Sequence, residues 1–303
     1  MSFSGEVKEE LVRIENDARH CQIAELAAIL ICSGAVRTDS SDGKSILLQP
    51  DAPYVTTRCL MLLEKLSLIP KGDLILQDQN TLFLDKKNSS VIKRILQIIK
   101  YKEGDKLVNP LVIKSLCCKR SFLRGAFLST GSMSNPQKGY HLEFVCSDAQ
   151  LAAQLVDTLA FYEIHAKIVT RKKYQVVYIK ESEEIVELLN VIGAHIALMN
   201  LENLRILKDM RNSINRRVNC ETANITKTVN AAAKQIDDIQ YIRDHYGFDN
   251  LDDNLRQMAV LRLEHPDATL KELGEYLTPT VGKSGVNHRL RKLSELAEKL
   301  RES

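Results

Sequence analysis

The sequence predicts an α+β protein: a duplicated domain of two α-β-α-ββ-α copies, followed by an all-α domain containing a helix-turn-helix. Three observations predict it. One order of elements runs twice between residues 22 and 193, a basic Asn-rich stretch begins at 201, and residues 246–303 read as helices alone. A chain of 303 residues also exceeds one ordinary core, so more than one domain is expected. We divide it into a duplicated domain over 1–200 (copies 22–101 and 120–193), a basic helical connector over 201–245 and a helix-turn-helix domain over 246–303.

The first copy opens with the small-residue helix "ELAAILICSGAV". It continues with a strand "SILLQ", a helix "TTRCLMLLEKLSL", a hairpin "LILQDQNTLFLD" and a helix "VIKRILQIIKY". The second copy opens with "SFLRGAFLSTGSM" and repeats the order through "YHLEFVC", "AQLAAQLVDTLAFYEI", "AKIVTRKKYQVVYIK" and "EEIVELLNVIG". Alternation and β-branched content mark the strands, and apolar spacing at three and four marks the helices.

The opening helices carry the informative residues. Leu26 to Gly34 and Leu123 to Gly131 resemble the LAGLIDADG helix of homing endonucleases, in which two such helices pack side by side along a pseudo-twofold axis. Small residues permit that approach, and a terminal Gly can adopt the left-handed conformation that ends a helix. The resemblance implies one acidic residue per helix just before the final Gly, the pair binding catalytic divalent metal. Here those positions are Ser33 and Thr130. A neutral hydroxyl cannot replace the fixed negative oxygens that a hard cation requires, so the scaffold is expected without the cleavage.

That scaffold binds DNA through its sheets, which directs attention to the second hairpin: Lys167, Arg171, Lys172 and Lys173, with Lys180 at its end. A basic hairpin tip is more often a solvated turn that discourages edge pairing, and phosphate contact is the less favoured reading. From 201 to 240, Asn212, Asn215, Asn219, Asn224 and Asn230 sit among basic residues. Such Asn density predicts hydrogen-bonding work or a series of short capped helices. Contact of Arg211, Arg216, Arg217, Lys227 and Lys234 with a DNA backbone and a connector with a solvated basic face both remain open.

Near the C-terminus, "VGKSGVNHRLRKL" offers a conflict. Gly282-Lys283-Ser284 imitates the end of a phosphate-binding P-loop, but that pattern needs Gly where Leu277 stands, and it needs a strand before it. The helix-turn-helix reading fits instead. "DDNLRQMAVLRLEHP" gives a helix from about Asp252, stopped by Pro266. Thr269 and Glu272 have capping-box spacing at the next helix start, and a turn "TPTVGK" follows. The last helix, with Ser284 as expected N-cap, buries Val286, Leu290, Leu293, Ala297 and Leu300 on one stripe. Asn287, His288 and Arg291 are the candidate base readers, while Lys283, Arg289 and Lys292 are better placed for phosphates.

Composition excludes other classes. Net charge is only +3, so an argument for nucleic acid must rest on where charge is concentrated. No apolar run approaches the ~20 residues of a membrane span, and the charged start "MSFSGEVKEELVRI" lacks a signal-peptide core, so a cytoplasmic protein is expected. The seven cysteines show no CxxC spacing and read as reduced packing residues, zinc being the disfavoured alternative. With no HExxH and no His/Cys cluster in the sequence, neither a metal site nor a cofactor nor a small-molecule substrate is expected.

Four strings together, "SFSGEVKEEL", "FLRGAFLSTGSMSNPQKGYHLEF", "RNSINRRVNCETANITKTVNAAAKQI" and "TLKELGEYLTPTVGKSGVNHRLRKLSELAEKL", resemble the WhiA family over nearly the whole chain. That resemblance implies a degenerate LAGLIDADG domain joined to a helix-turn-helix, without nuclease activity. It implies binding to double-stranded DNA at the nucleoid, with other transcription or division proteins as partners. The expected biology is cell division, chromosome segregation and, in spore formers, sporulation gene control. Against this sequence-specific regulator stand a metal-dependent nuclease, which would need the acidic pair, and an interaction scaffold with only non-specific DNA binding.

Overall fold

Two helices, α2 (Arg19–Cys32) and α5 (Leu116–Thr130), pack side by side at the centre of the first unit in the computed structural model, which describes residues 2–39, 43–50, 53–69 and 80–302. Their approach depends on small side chains. A Cβ on Gly125 would stand 2.5 Å from the Glu25 carbonyl oxygen and 2.8 Å from the Ala28 Cβ. Ala28 and Gly125 occupy the same position in the two copies, so this close approach lies where the repeats meet their own image. Gly34 ends α2 with φ +67°, as a left-handed cap should. Gly131 does not follow suit: at φ −78° it is extended and starts the next strand. It is small for want of space, because a Cβ there would lie 2.4 Å from Phe127 Cδ2.

Each helix leads into a sheet and two further helices. The first copy continues through β1 (Val36–Asp39), β2 (Gly43–Leu48), α3 (Pro53–Lys65), β3 (Leu82–Leu84) and α4 (Ser89–Ile98). The second has β4 (Gly131–Met133), β5 (Leu142–Cys146), α6 (Ala149–Ala160), β6 (Lys167–Arg171), β7 (Tyr174–Ile179) and α7 (Ser182–Ile192). All described strand pairs are antiparallel, in the orders β1-β2-β3 and β4-β5-β7-β6. Among the described residues each copy shows a strand the sequence did not reveal: β1 pairs Val36 with Ile46, and β4 pairs Gly131 with Phe144. "VRTD" and "GSM" are too short and polar to show alternation. The first arm of the hairpin read in "LILQDQNTLFLD" lies outside the described residues, and its second arm is β3.

The core of this unit is apolar, with Phe122, Phe127 and Phe144 fully buried and the last two meeting edge to face at 6.1 Å. One ionic group interrupts it. Glu25, on α2, is fully buried and accepts from Arg58 Nε of α3 at 2.6 Å and Nη2 at 3.1 Å, and from Arg124 Nη1 of α5 at 3.3 Å. Other donors of the two arginines reach backbone carbonyls: Arg58 Nη1 to Val12 and Ile14, and Arg124 Nε to Ile192. Burial is the main cause lowering the Arg124 pKa. Outside the core, α1 (Phe3–Val12) is capped by Ser2, and its Glu10 accepts from the Ile196 and Ala197 amides at the start of the following helix.

That helix, α8 (His195–His245), is continuous over 51 residues, where the Asn density suggested a series of short ones. Thr226 and Thr228 turn their hydroxyls back onto the Thr222 and Asn224 carbonyls, so their polar groups are satisfied within the helix. The chain divides into two units, Met1–Leu207 and Lys208–Ser303. The second contains α9 (Asp253–Glu264), α10 (Leu270–Glu275) and α11 (Lys283–Glu302), with a separate core to which α8 contributes Ile239 and Ile242. No described helix is long and apolar enough to cross a membrane.

Candidate nucleic-acid interface

In the second unit, caps and packing fix three short-linked helices. Asp252 caps α9 by accepting from the Asn254 and Leu255 amides. Thr269 and Glu272 form the full capping box that opens α10. Buried Arg262 of α9 donates to the Pro266 and Ala268 carbonyls and so holds the first turn. The second turn is closed by the Val281 amide donating to the Gly274 carbonyl at 3.0 Å. Gly274 has no room for a side chain: a Cβ would lie 2.0 Å from the Val281 carbonyl oxygen.

These contacts seat α11 through Val286, Leu290, Leu293 and Ala297, all buried, with Leu300 half-buried against the same core. The rest of the helix carries the residues expected to meet DNA. Lys283, Ser284, Asn287, His288, Arg291 and Lys292 are exposed, and Arg289 is half-buried. The helix starts at Lys283, so Ser284 lies in its first turn instead of capping it. The Gly282 carbonyl accepts from the Gly285 and Val286 amides in that place. Arg291 Nε meets Glu295 at 3.2 Å in an exposed i,i+4 pair. Such a pair contributes only ~0.2–1 kcal/mol and yields readily to a stronger acceptor.

On α8 the five named cations do not share a face. At about 100° per residue, Arg216, Lys227 and Lys234 align beside Asn212, Asn219 and Asn230, while Arg211 and Arg217 flank the apolar stripe of Leu207, Ile214, Val218 and Ile225. The three aligned cations are exposed, Lys234 paired with Glu298 at 3.0 Å.

In the first unit, the register of β6 and β7 places Lys167, Arg171, Tyr174 and Tyr178 on one side of the sheet, opposite the side where Phe144 and Val177 are buried. Lys172, at φ +55°, and Lys173 make the turn between them. The basic charge there is partly cancelled, because Glu143 accepts from Arg171 at 2.9 Å and sits 3.0 Å from His141. At the ends of the central helices, Ser33 and Thr130 donate to their own helices, at the Ile29 and Ala126 carbonyls. Neither offers a metal an anionic oxygen.

The structure also corrects the cysteine reading. Cys117 and Cys220 are exposed and so do not serve as packing residues. His20, Cys21, Cys117 and Cys118 gather at the starts of α2 and α5, their ligand atoms all within 4.8 Å of one another. Burial, and then the facing Cys21 and Cys117, push the Cys118 thiol up to about 11. Sequence inspection missed the cluster because adjacent His-Cys and Cys-Cys pairs, far apart in the chain, match no ligand spacing.

Both units have counterparts among known proteins. Residues 119–211 match the family model described as the WhiA LAGLIDADG-like domain, and residues 214–297 match the WhiA C-terminal HTH domain. The chain is 50% identical to a probable cell division protein WhiA of Lachnoclostridium phytofermentans, covering 100% of both chains. To the counterpart from Desulfitobacterium hafniense strain Y51 it is 46% identical, over 100% of this chain and 97% of that one. Among solved structures it resembles full-length WhiA from Thermatoga maritima, with 28% identity, a TM-score of 0.58 and 99% of each chain covered.

Proposed function

Since the chain belongs to the WhiA family, we propose that it is a sequence-specific DNA-binding regulator of cell division that does not cut DNA. Chromosome segregation and, in a spore former, sporulation genes belong to the same proposal. The carrying observation is the exposed face of α11, where Asn287, His288 and Arg291 stand beside Lys283, Arg289 and Lys292 on a helix seated by a buried stripe. Asn pairs with adenine and Arg with guanine in the major groove, and the lysines neutralise phosphates. The hydroxyls at Ser33 and Thr130 support the absence of cleavage. Arg216, Lys227 and Lys234 of α8 are the better candidates for further backbone contacts, because they alone of the five align.

Fluorescence anisotropy of the full chain on labelled genomic fragments tests this. Arg291→Ala should cost ~1–3 kcal/mol on the preferred fragment and narrow its lead over random DNA. Equal losses on both would make Arg291 a phosphate contact. The salt slope should include a contribution of about −3 from Lys283, Arg289 and Lys292. Binding that ignores salt and sequence would leave the interaction-scaffold reading in its place. The double change Lys172→Ala and Lys173→Ala should weaken binding less than Arg291→Ala does. A collapse of affinity would make the sheet of the first unit the principal reader.

A further inference from the structure

We infer that His20, Cys21, Cys117 and Cys118 form a structural site for a thiolate-preferring divalent cation, zinc, which clips together the N-terminal ends of the two central helices. His20 and Cys117 stand 97 residues apart, as do Cys21 and Cys118, Ala28 and Gly125, and Ser33 and Thr130. The tetrad is therefore one dipeptide position used twice, brought face to face by the same pseudo-symmetry that packs α2 on α5. Each pair lies in the first turn of its helix, since α2 begins at Arg19 and α5 at Leu116.

The distances identify the kind of centre. His20 Nδ1 lies 3.2 Å from the Cys118 sulfur, 3.3 Å from that of Cys21 and 3.9 Å from that of Cys117. One ring nitrogen has a single proton or a single lone pair, so hydrogen bonding cannot satisfy three sulfurs around it. A tetrahedral cation can. With bonds of about 2.3 Å to sulfur and about 2.05 Å to nitrogen, the N to S edge of such a site is about 3.6 Å, the middle of the observed spread. Three Cys and one His fill all four positions and leave none for water, which is the pattern of a structural zinc and not of a catalytic one. Cys21 and Cys118 are buried while His20 and Cys117 are exposed, so the site has a firm floor and an open route for the ion.

Full-length protein purified under reductant and dialysed against zinc should retain about one equivalent per chain by elemental mass spectrometry. Cobalt(II) in its place should give thiolate charge-transfer absorption and the strong d–d bands of a tetrahedral centre. His20→Ala and Cys117→Ser remove exposed ligands without opening the core, and each should lower the retained zinc and weaken the cobalt bands. Cys220→Ser, also an exposed cysteine, should change neither. A chelator should lower the thermal midpoint of the native protein more than that of Cys117→Ser. Metal content at background in the native chain, zinc retained equally by both ligand variants, or a mass lower by two hydrogens showing a disulfide among Cys21, Cys117 and Cys118, would each overturn the site.

Discussion

Glu25→Ala should destabilise the first unit by about 3–5 kcal/mol, the cost of removing one partner from a buried ionic group. The size follows from what is left behind. Arg58 and Arg124 side chains are 4% and 9% exposed, and both aim at the one carboxylate. Without it, two guanidinium groups lie side by side with no counter-charge, and the carbonyls of Val12, Ile14 and Ile192 satisfy only part of their donors. The repulsion acts between α3 and α5 beside the close α2 to α5 contact, where a Cβ on Gly125 would lie 2.5 Å from the Glu25 carbonyl oxygen, so the helices cannot close over the space the carboxylate leaves. The chain has no Trp, so urea unfolding should be followed by circular dichroism. A shift below about 1 kcal/mol would mean that water reaches the pair and the triad behaves as a surface salt bridge.

That triad was invisible in the sequence, and the contrast with what was visible is physical. Periodicity reports one face of one element, so it found the α11 stripe, the Thr269 capping box and both central helices. It is silent on interactions between elements. Glu25 lies in an apolar helix, Arg58 in another and Arg124 in a third, and nothing local announces that they meet. The same holds for His20-Cys21 and Cys117-Cys118, whose relation appears only once the copies are superimposed by their offset. Propensity failed in the other direction on α8, where the Asn residues argued for breaks. Thr226 and Thr228 bond back to i−4 carbonyls there, and the helix runs on into a packed end at Ile239 and Ile242. At the candidate DNA face the residue types and their helical phase were legible. The Arg291 to Glu295 pair was not read there, and the structure shows that Glu295 is the acceptor the guanidinium occupies.

Gly274→Ala should lower affinity for the preferred DNA by more than ~30-fold while leaving the first unit as stable as before. Two effects oppose each other at this position. Alanine favours a helix over glycine by ~0.5–1 kcal/mol, and Gly274 lies within α10. Against that, the new methyl would stand 2.0 Å from the Val281 carbonyl oxygen and 3.3 Å from Val286 Cγ2. The first neighbour is backbone, tied to Gly274 through the Val281 amide, so no rotamer change relieves the overlap. Overpacking of this kind costs ~1–3 kcal/mol, which exceeds the gain in propensity. The turn must move, and with it the start of α11, where Lys283, Asn287 and Arg291 are carried. If Asn287 and Arg291 read bases as proposed and both lose them, at ~1–3 kcal/mol each, the fall in affinity is accounted for. Gly282→Ala supplies the comparison, since a Cβ there meets nothing within 4 Å and the turn need not shift. If both alanine variants bind alike, the Gly274 to Val281 contact does not set the start of α11, and the spacing of α10 and α11 must be governed by Val286 and Leu290 packing alone.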